Sequence, residues 1–388
     1  MNTFAENTYW IAIAHLPRWH VERINRLIVQ VVHEHKLSWS EFFELDKKGW
    51  REIFAFNEKE LADMELAKND IPRLAFIAEQ LQNEGFDIIP INSPEYPQVL
   101  KENLKMKSSP PVLYVKGRKS LLQEEAVAIV GSRKAGKAAI DFTERIAAKS
   151  VREQKVVVSG FAKGVDKQAL DSTLEAHGKS IIVLPQGILT FQSGFKKYYE
   201  PIVNGEVLVL STFFPKAGWE VGLAMARNAY IYGLANEIYV AESDDTGGTW
   251  QGVIDGLKRQ RKIFVRVPGA GEKNANHKLI ALGAMPVNGE GEVMEKNHSV
   301  KTDIFDDLHE SNANEASGEY ENSNIEKDIL DLLTGNNYTC KEIKLALKLD
   351  WDSKKLTAYL KKNPNVQSIV GKPLKYTRNA IVTPTLFE

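Results

Sequence analysis

Cysteine is nearly absent: Cys340 is the only one in 388 residues, which excludes an internal disulfide framework and any cysteine-cluster metal site. The eight histidines show no zinc-ligand spacing, so neither a structural metal nor a cofactor is expected. No apolar run approaches the roughly 18 residues a membrane span requires, and the opening MNTFAENTYW lacks the basic-then-apolar build of a secretory signal. A cytoplasmic location without a membrane partner is expected. Net charge is also nearly missing, at −1, yet with 43% hydrophobic and 26% charged residues the chain has an ordinary globular composition and room for two or three domains.

The small total charge conceals a division along the chain. Residues 289–324 carry ten acidic and two basic side chains, whereas residues 325–388 carry seven acidic and eleven basic. The acidic stretch has few large apolar residues and no sustained periodicity, so it cannot bury enough surface to offset its ordering entropy and reads as a flexible linker. Beyond it, Ile325–Leu333, Thr339–Leu347 and Trp351–Lys361 have helical patterning, and VQSIVGKPLKYT reads as a hairpin turning at Gly371, Lys372 and Pro373. Three helices closed by a hairpin form the winged-helix pattern, whose last helix can enter a DNA groove. Lys354, Lys355, Lys361 and Lys362 lie on or just after that helix, as nucleic-acid candidates or as the solvated face of a protein-interaction module.

Before the linker, six short runs rich in Val and Ile recur: Val127–Val130, Lys155–Val158, Ser180–Leu184, Val207–Leu210, Glu237–Ala241 and Lys262–Val267. Amphipathic stretches of helical length separate several of them, among them Ala138–Arg152, Asp166–His177 and Trp250–Gln260. Such alternation predicts an α/β fold with a doubly wound, mostly parallel sheet over residues 86–288. Residues 1–85 carry helical periodicity (Ile24, Leu27, Ile28, Val31; Leu74, Ile77, Ala78, Leu81) and no convincing strand, so they read as a small helical domain. Two proline clusters in the join predict an extended connector packing on the sheet.

In an open α/β sheet, ligands sit outside the carboxyl ends of the strands, where helix N-termini attract anions. Three of these strands are followed by small, polar, glycine-bearing loops: GSRKAGK after the first, SGFAKGVD after the second and ESDDTGGTW after the fifth. Glycines admit close approach of main-chain N–H groups to a phosphate, and Arg133 offers a bidentate fork to its oxygens. Taken singly, Gly131, Gly160 and Gly164 could equally serve tight turns. The first loop comes within one residue of a nucleotide-hydrolase signature, G-x-x-x-x-G-K, but Ala138 stands where a Mg²⁺-binding hydroxyl is needed. A phosphate grip without hydrolysis is the expectation.

Gly131–Arg133, Ser159–Asp166, Arg227 with Asn228 in AMARNAYIYGLA, and VAESDDTGG resemble, in order and spacing, the DNA-processing protein A family (DprA, also called Smf). The upstream PEYPQVLKENLKMKSSPPVLYVKG fits the same family. The resemblance implies an extended Rossmann-like core that binds single-stranded DNA, self-associates as a dimer or higher form, and helps load a RecA-type recombinase during natural transformation, with no catalytic residue. It also implies that the leading helical domain is similar to the SAM and helix-hairpin-helix kinds. By the same resemblance Ser132 and Arg133, with Lys134 beside them, contact backbone phosphate. Ser159, Gly160, Lys163 and Gly164 line the pocket, Asp166 caps or orients the following helix, and Arg227 with Asn228 holds the floor. Glu242, Thr246, Gly247 and Gly248 complete the set from the third loop.

The chain departs from the family pattern at Leu170, where the family has His, and at Ala229, where it has Arg. A family loop is replaced by LTFQSGFKKYYEPIVN, in which Lys196 and Lys197 supply charge and Tyr198 and Tyr199 supply stacking faces. Two alternatives stand beside the DNA reading. TGGTW is similar to a loop of nucleoside-monophosphate phosphoribohydrolases, although no acid follows until Asp255, and to that of nucleotide-signal sensors, which would suit an anti-phage module. Arg227 has an alternative too, as a buried member of an ion network with Glu242 and Asp244.

Overall fold

The computed structural model describes residues 3–294 and, beyond them, residues 332–333, 338–347, 356–357, 359–360, 366–369 and 375–378. The chain divides into two compact units, Met1–His298 and Ser299–Glu388. The first begins with helices α1 (Thr3–Ala14), α2 (Val21–Ile28), α3 (Trp39–Glu44), α4 (Lys47–Phe54) and α5 (Glu58–Asn83). Local chemistry starts several of them. Ser38 with Glu41 and Asn57 with Glu60 form reciprocal capping boxes at α3 and α5, and the Asp46 carboxylate caps α4 through Gly49 N.

The rest of this unit is a mixed α/β layer built from β1 (Asp87–Pro90), α6 (Gln98–Ser108), β2 (Val112–Lys116), β3 (Ala126–Val130), α7 (Lys137–Arg152), β4 (Val156–Ser159), α8 (Val165–Glu175), β5 (Ser180–Val183), α9 (Gln192–Lys197), α10 (Tyr199–Val203), β6 (Val207–Ser211), α11 (Val221–Leu234), β7 (Glu237–Val240), α12 (Gly247–Lys258), β8 (Lys262–Arg266), α13 (Asn276–Ala281) and β9 (Met285–Val287). All six strands expected from the apolar runs are present, and they pair in parallel. The connector is not merely extended. Pro97 opens α6 and Pro110–Pro111 follow its end, so the prolines bound a helix. On either side, β1 and β2 enlarge the sheet antiparallel at β6.

The nine strands run in the order β1-β2-β6-β5-β4-β3-β7-β8-β9. From β3 the chain steps outward to β4, β5 and β6 on one side, then crosses back to place β7, β8 and β9 on the other. That reversal opens a crevice among the loops that follow β3, β4 and β7. Strand alternation feeds two faces: Val127 and Ile129 pack with Phe142 and Ile146 of α7, while Ala128 and Val130 share a core with α6, α11 and α12. The N-terminal helices cover the α7 side, where Trp10, Trp39 and Leu81 join one cluster with Tyr114 of β2 and Val209 of β6.

The loop after β7 is rooted by Asn276, which is fully buried. Its Oδ1 accepts from Ser243 N at 2.9 Å, and its Nδ2 donates to Arg266 O at 2.8 Å and Ala241 O at 3.1 Å. Asn276→Ala would leave Ser243 N without its acceptor and take a donor from Arg266 O, while Ala241 O would keep its bond from Arg266 Nε at 2.9 Å. The expected loss is about 2 kcal/mol, seen as a lower urea midpoint at unchanged slope.

Of the acidic segment, residues 289–294 return toward β9, with Val293 bridging Val287 and Met294 N bonded to Pro286 O, and the remainder lies outside the described residues. In the second unit, Tyr338–Thr339, Lys375–Arg378 and Val366–Ile369 form a three-stranded sheet over Leu333, Ile343, Leu356, Leu360 and Tyr376. The expected hairpin is antiparallel, pairing Val366 with Arg378 and Ile369 with Lys375. Helix Cys340–Ala346 coincides with the second expected helix. Lys354, Lys355, Lys361 and Lys362 lie outside the described residues. Among those residues, no helix is long and apolar enough to cross a membrane.

Candidate functional site

Three helix N-termini meet at the crevice, and at none of them does the N-cap residue's own side chain bond the first turn. They belong to α7 at Gly136, α8 at Gly164 and α12 at Thr246. The contrast with the boxed ends of α3 and α5 is chemical, since free first-turn N–H groups attract an anion, but two of the three ends are already engaged: at α8 Val165 N and Lys167 N donate to Ser132 O and Ala162 O, and at α7 the Glu242 carboxylate sits on Gly136 N. The loops are tied to one another. Ser132 N donates to Glu242 O at 2.8 Å, Gly136 N to a Glu242 carboxylate oxygen at 3.2 Å, and Val165 N to Ser132 O at 3.3 Å. Gly164 has φ +79°, and a Cβ there would stand 2.4 Å from Ser132 O, so glycine is what lets the second loop close on the first.

Beneath the loops lies a buried ion pair. Arg227 of α11 places Nη1 3.7 Å from Asp166 Oδ2 and donates to Val183 O at 3.3 Å. The guanidinium passes directly over Gly160, where a Cβ would overlap Nη1 at 1.4 Å. Burial pushes the Asp166 carboxyl above its ordinary pKa, against the lowering influence of Arg227, the Ala162 amide, Arg133 and the Gly160 amide. Burial likewise pulls Arg227 below its ordinary value, with Asp166 opposing. Arg227 is therefore buried as expected, but its partner is Asp166 rather than Glu242 or Asp244. Asp166 holds the loop ahead of α8 through the Gly160 and Ala162 amides and does not cap the helix.

Two cavities open along this edge. The first, about 420 Å³, is lined among others by Gly131, Ser132, Asp166 and Asn228 and by Thr246, Gly247 and Gly248 of the third loop. The Asn228 side chain donates to Gly248 O at 3.1 Å and so fixes the start of α12 against α11. The second, about 500 Å³, is lined by Gly160, Phe161, Lys163, Gln186 and Phe191. Arg133, Lys134, Ala162, Trp219, Ala224 and Arg227 line both. Arg133 is exposed, and among the described residues its guanidinium has no hydrogen bond or ion pair.

Several expected residues are placed elsewhere. Ser159 is buried with its hydroxyl donating to Ile129 O at 2.9 Å, so that oxygen is spent inside the sheet. Glu242 lines neither cavity and serves the first loop instead. Lys196 and Lys197 on α9 are exposed and outside both cavities. Tyr198 is 4% exposed and bonded to Asp171, so it offers no stacking face, whereas Tyr199 is exposed. Conversely, Trp219, Val221 and Met225 stand exposed at the rim of the first cavity. The sequence signal for them was slight: one tryptophan in KAGWEVG, off any helical or strand period.

A family model described as DNA recombination-mediator protein A matches residues 87–298. Protein Smf of Synechocystis sp. is 28% identical over 256 residues, covering 63% of this chain and 60% of the relative. The chain thus spans less than two thirds of that relative. DNA processing protein DprA of Streptococcus pneumoniae is 31% identical over 202 residues, covering 51% of this chain and 70% of the relative. The X-ray structure of the Streptococcus pneumoniae protein superposes with a TM-score of 0.59 at 24% identity, over 74% of this chain and 96% of that one, a likeness of fold.

Proposed function

The chain belongs to the DNA recombination-mediator protein A family, and from that premise we propose that it binds single-stranded DNA without cleaving it, along the groove at the carboxyl ends of β3, β4 and β7. One observation carries this reading: Arg133, whose guanidinium has no hydrogen bond or ion pair among the described residues, stands where two cavities meet, and the start of α12 lines the first of them. Guanidinium, hydroxyl and main-chain N–H donors grip phosphate without reading sequence, as a mediator acting on any strand requires. Lys134 and Lys163 add positive charge from the first and second loops. Of the two carboxylates that line the first cavity, Asp166 is engaged by Arg227 and Asp244 stands in the third loop. Transfer of the strand to a RecA-type recombinase, self-association through the core and a winged-helix second unit belong to the same proposal, on family likeness.

Fluorescence anisotropy with oligo-dT, duplex and thymidine monophosphate tests it. Oligo-dT is expected to bind preferentially, and its log affinity to fall with log salt at a slope of about −2, corresponding to roughly three neutralised phosphates. Binding confined to the mononucleotide would favour the signal-sensor alternative, for which the first cavity has room. Hydrolysis of the nucleotide would replace the proposal with an enzyme.

A further inference from the structure

The wall shared by the two cavities carries an indole. Among the described tryptophans, Trp10, Trp39 and Trp50 are buried, Trp19 and Trp250 are partly covered, and Trp219 is 52% exposed. Its position is nonetheless defined. Gly187 N donates to Ala217 O at 2.9 Å and Leu189 N to Pro215 O at 3.0 Å, while Ala224 N donates to Glu220 O at 3.0 Å as α11 begins. Only Gly218 and Trp219 lie between these anchors. Val221 and Met225, one helical turn apart, extend the apolar surface at 66% and 40% exposure.

Apolar side chains left in water beside a polar groove mark a recognition surface. Here Trp219, Val221 and Met225 share the first cavity with Ser132, Thr246 and the start of α12, so an apolar wall accompanies anion-favouring loops. The second cavity sets the half-buried ring of Phe161 beside Lys163, with Phe191 buried behind it. A planar base joined to a charged phosphate matches that pairing in each. Arg133 and Trp219 both stand at the junction.

We propose that Trp219 is a base-stacking residue that divides the groove into two nucleotide subsites, one per cavity, with the phosphate linking the two nucleotides held at Arg133. The proposal rests on the single-strand reading above and adds its stacking element and its minimum ligand, a dinucleotide. It also supplies a reason for strand selectivity, since bases paired in a duplex have no free face to offer the indole.

The test uses the full chain with thymidine monophosphate, the dinucleotide pTpT and oligo-dT, comparing wild type, Trp219→Ala and Trp219→Phe. Because the indole is exposed, both variants are expected to keep the wild-type thermal midpoint. Wild type is expected to bind pTpT well above the monophosphate and to show tryptophan quenching on oligo-dT. Trp219→Ala is expected to bind oligo-dT about 10- to 100-fold more weakly, the range for losing one stacked base. Trp219→Phe is expected to restore most of the affinity but not the quenching. Oligo-dT affinity and quenching in Trp219→Ala equal to wild type would overturn this inference while leaving single-strand binding intact. Failure of wild type to bind oligo-dT would overturn both.

Discussion

Arg133→Ala is expected to weaken oligo-dT binding by about 10- to 100-fold at low salt, because a charge-assisted, two-pronged contact to phosphate is worth about 1.5–3 kcal/mol. Its signature is a change in the salt slope of about 0.7, the release expected for one phosphate on a single strand. Folding should be untouched, since the side chain is exposed and makes no hydrogen bond or ion pair among the described residues. Arg133→Lys keeps the charge but not the planar fork, so it should recover the slope and only part of the affinity. Lys197→Ala is the matched control: it removes an exposed charge from α9, outside both cavities, and should change affinity by less than about threefold. An Arg133→Ala protein with wild-type affinity and slope would remove the phosphate from this loop.

Arg227→Met is expected to cost about 3–5 kcal/mol at neutral pH, the penalty for leaving a buried charge uncompensated. The carboxylate concerned is Asp166, only 7% exposed as a residue, and Arg227 is the largest influence lowering its pKa. Burial already holds that pKa above its ordinary value, and removing the guanidinium raises it further. A carboxyl whose folded pKa exceeds its unfolded one contributes stability below the unfolded value and loses it as pH rises through the folded value. The deficit of the variant should therefore be greatest at neutral pH and shrink on acidification toward about pH 4. Urea unfolding at several pH values measures it, and Asp166→Asn added to Arg227→Met should return much of the loss at neutral pH. A deficit independent of pH would show that Arg227 acts by packing alone.

Much of the fold was legible because strands such as Val127–Val130 and helices such as Ala138–Arg152 declare themselves through neighbours a few residues away. The three added strands, Asp87–Pro90, Val112–Lys116 and Met285–Val287, were not. Asp87–Pro90 and Val112–Lys116 are short and flanked by prolines; β2 becomes a strand on an edge offered by β6, about a hundred residues later, and β1 by pairing with β2 in turn. The site divides in the same way. Ser132 and Ser159 both sit in glycine-bearing motifs, yet one lines a cavity and the other gives its hydroxyl to Ile129 O inside the sheet. Tyr198 and Tyr199 are adjacent and similar, and packing against Phe161 buries the first ring while the second stays in water.

By itself the sequence determined the six parallel strands in their order, the three glycine-bearing loops and the departure from a hydrolase at Ala138, because each depends on local composition and spacing. Tertiary structure alone decided which polar groups are spent and which are free. Gly136 and Glu242 stand 106 positions apart yet close one loop. Arg227 is spent on Asp166 and Arg133 is not, although both are arginines in motifs of the same family. Whether a charge finds a partner or awaits a ligand depends on what distant segments bring within a few ångströms, and linear spacing carries no such distance. The exposed indole of Trp219 is the same case on the apolar side, since its role at the junction exists only once two cavities share a wall.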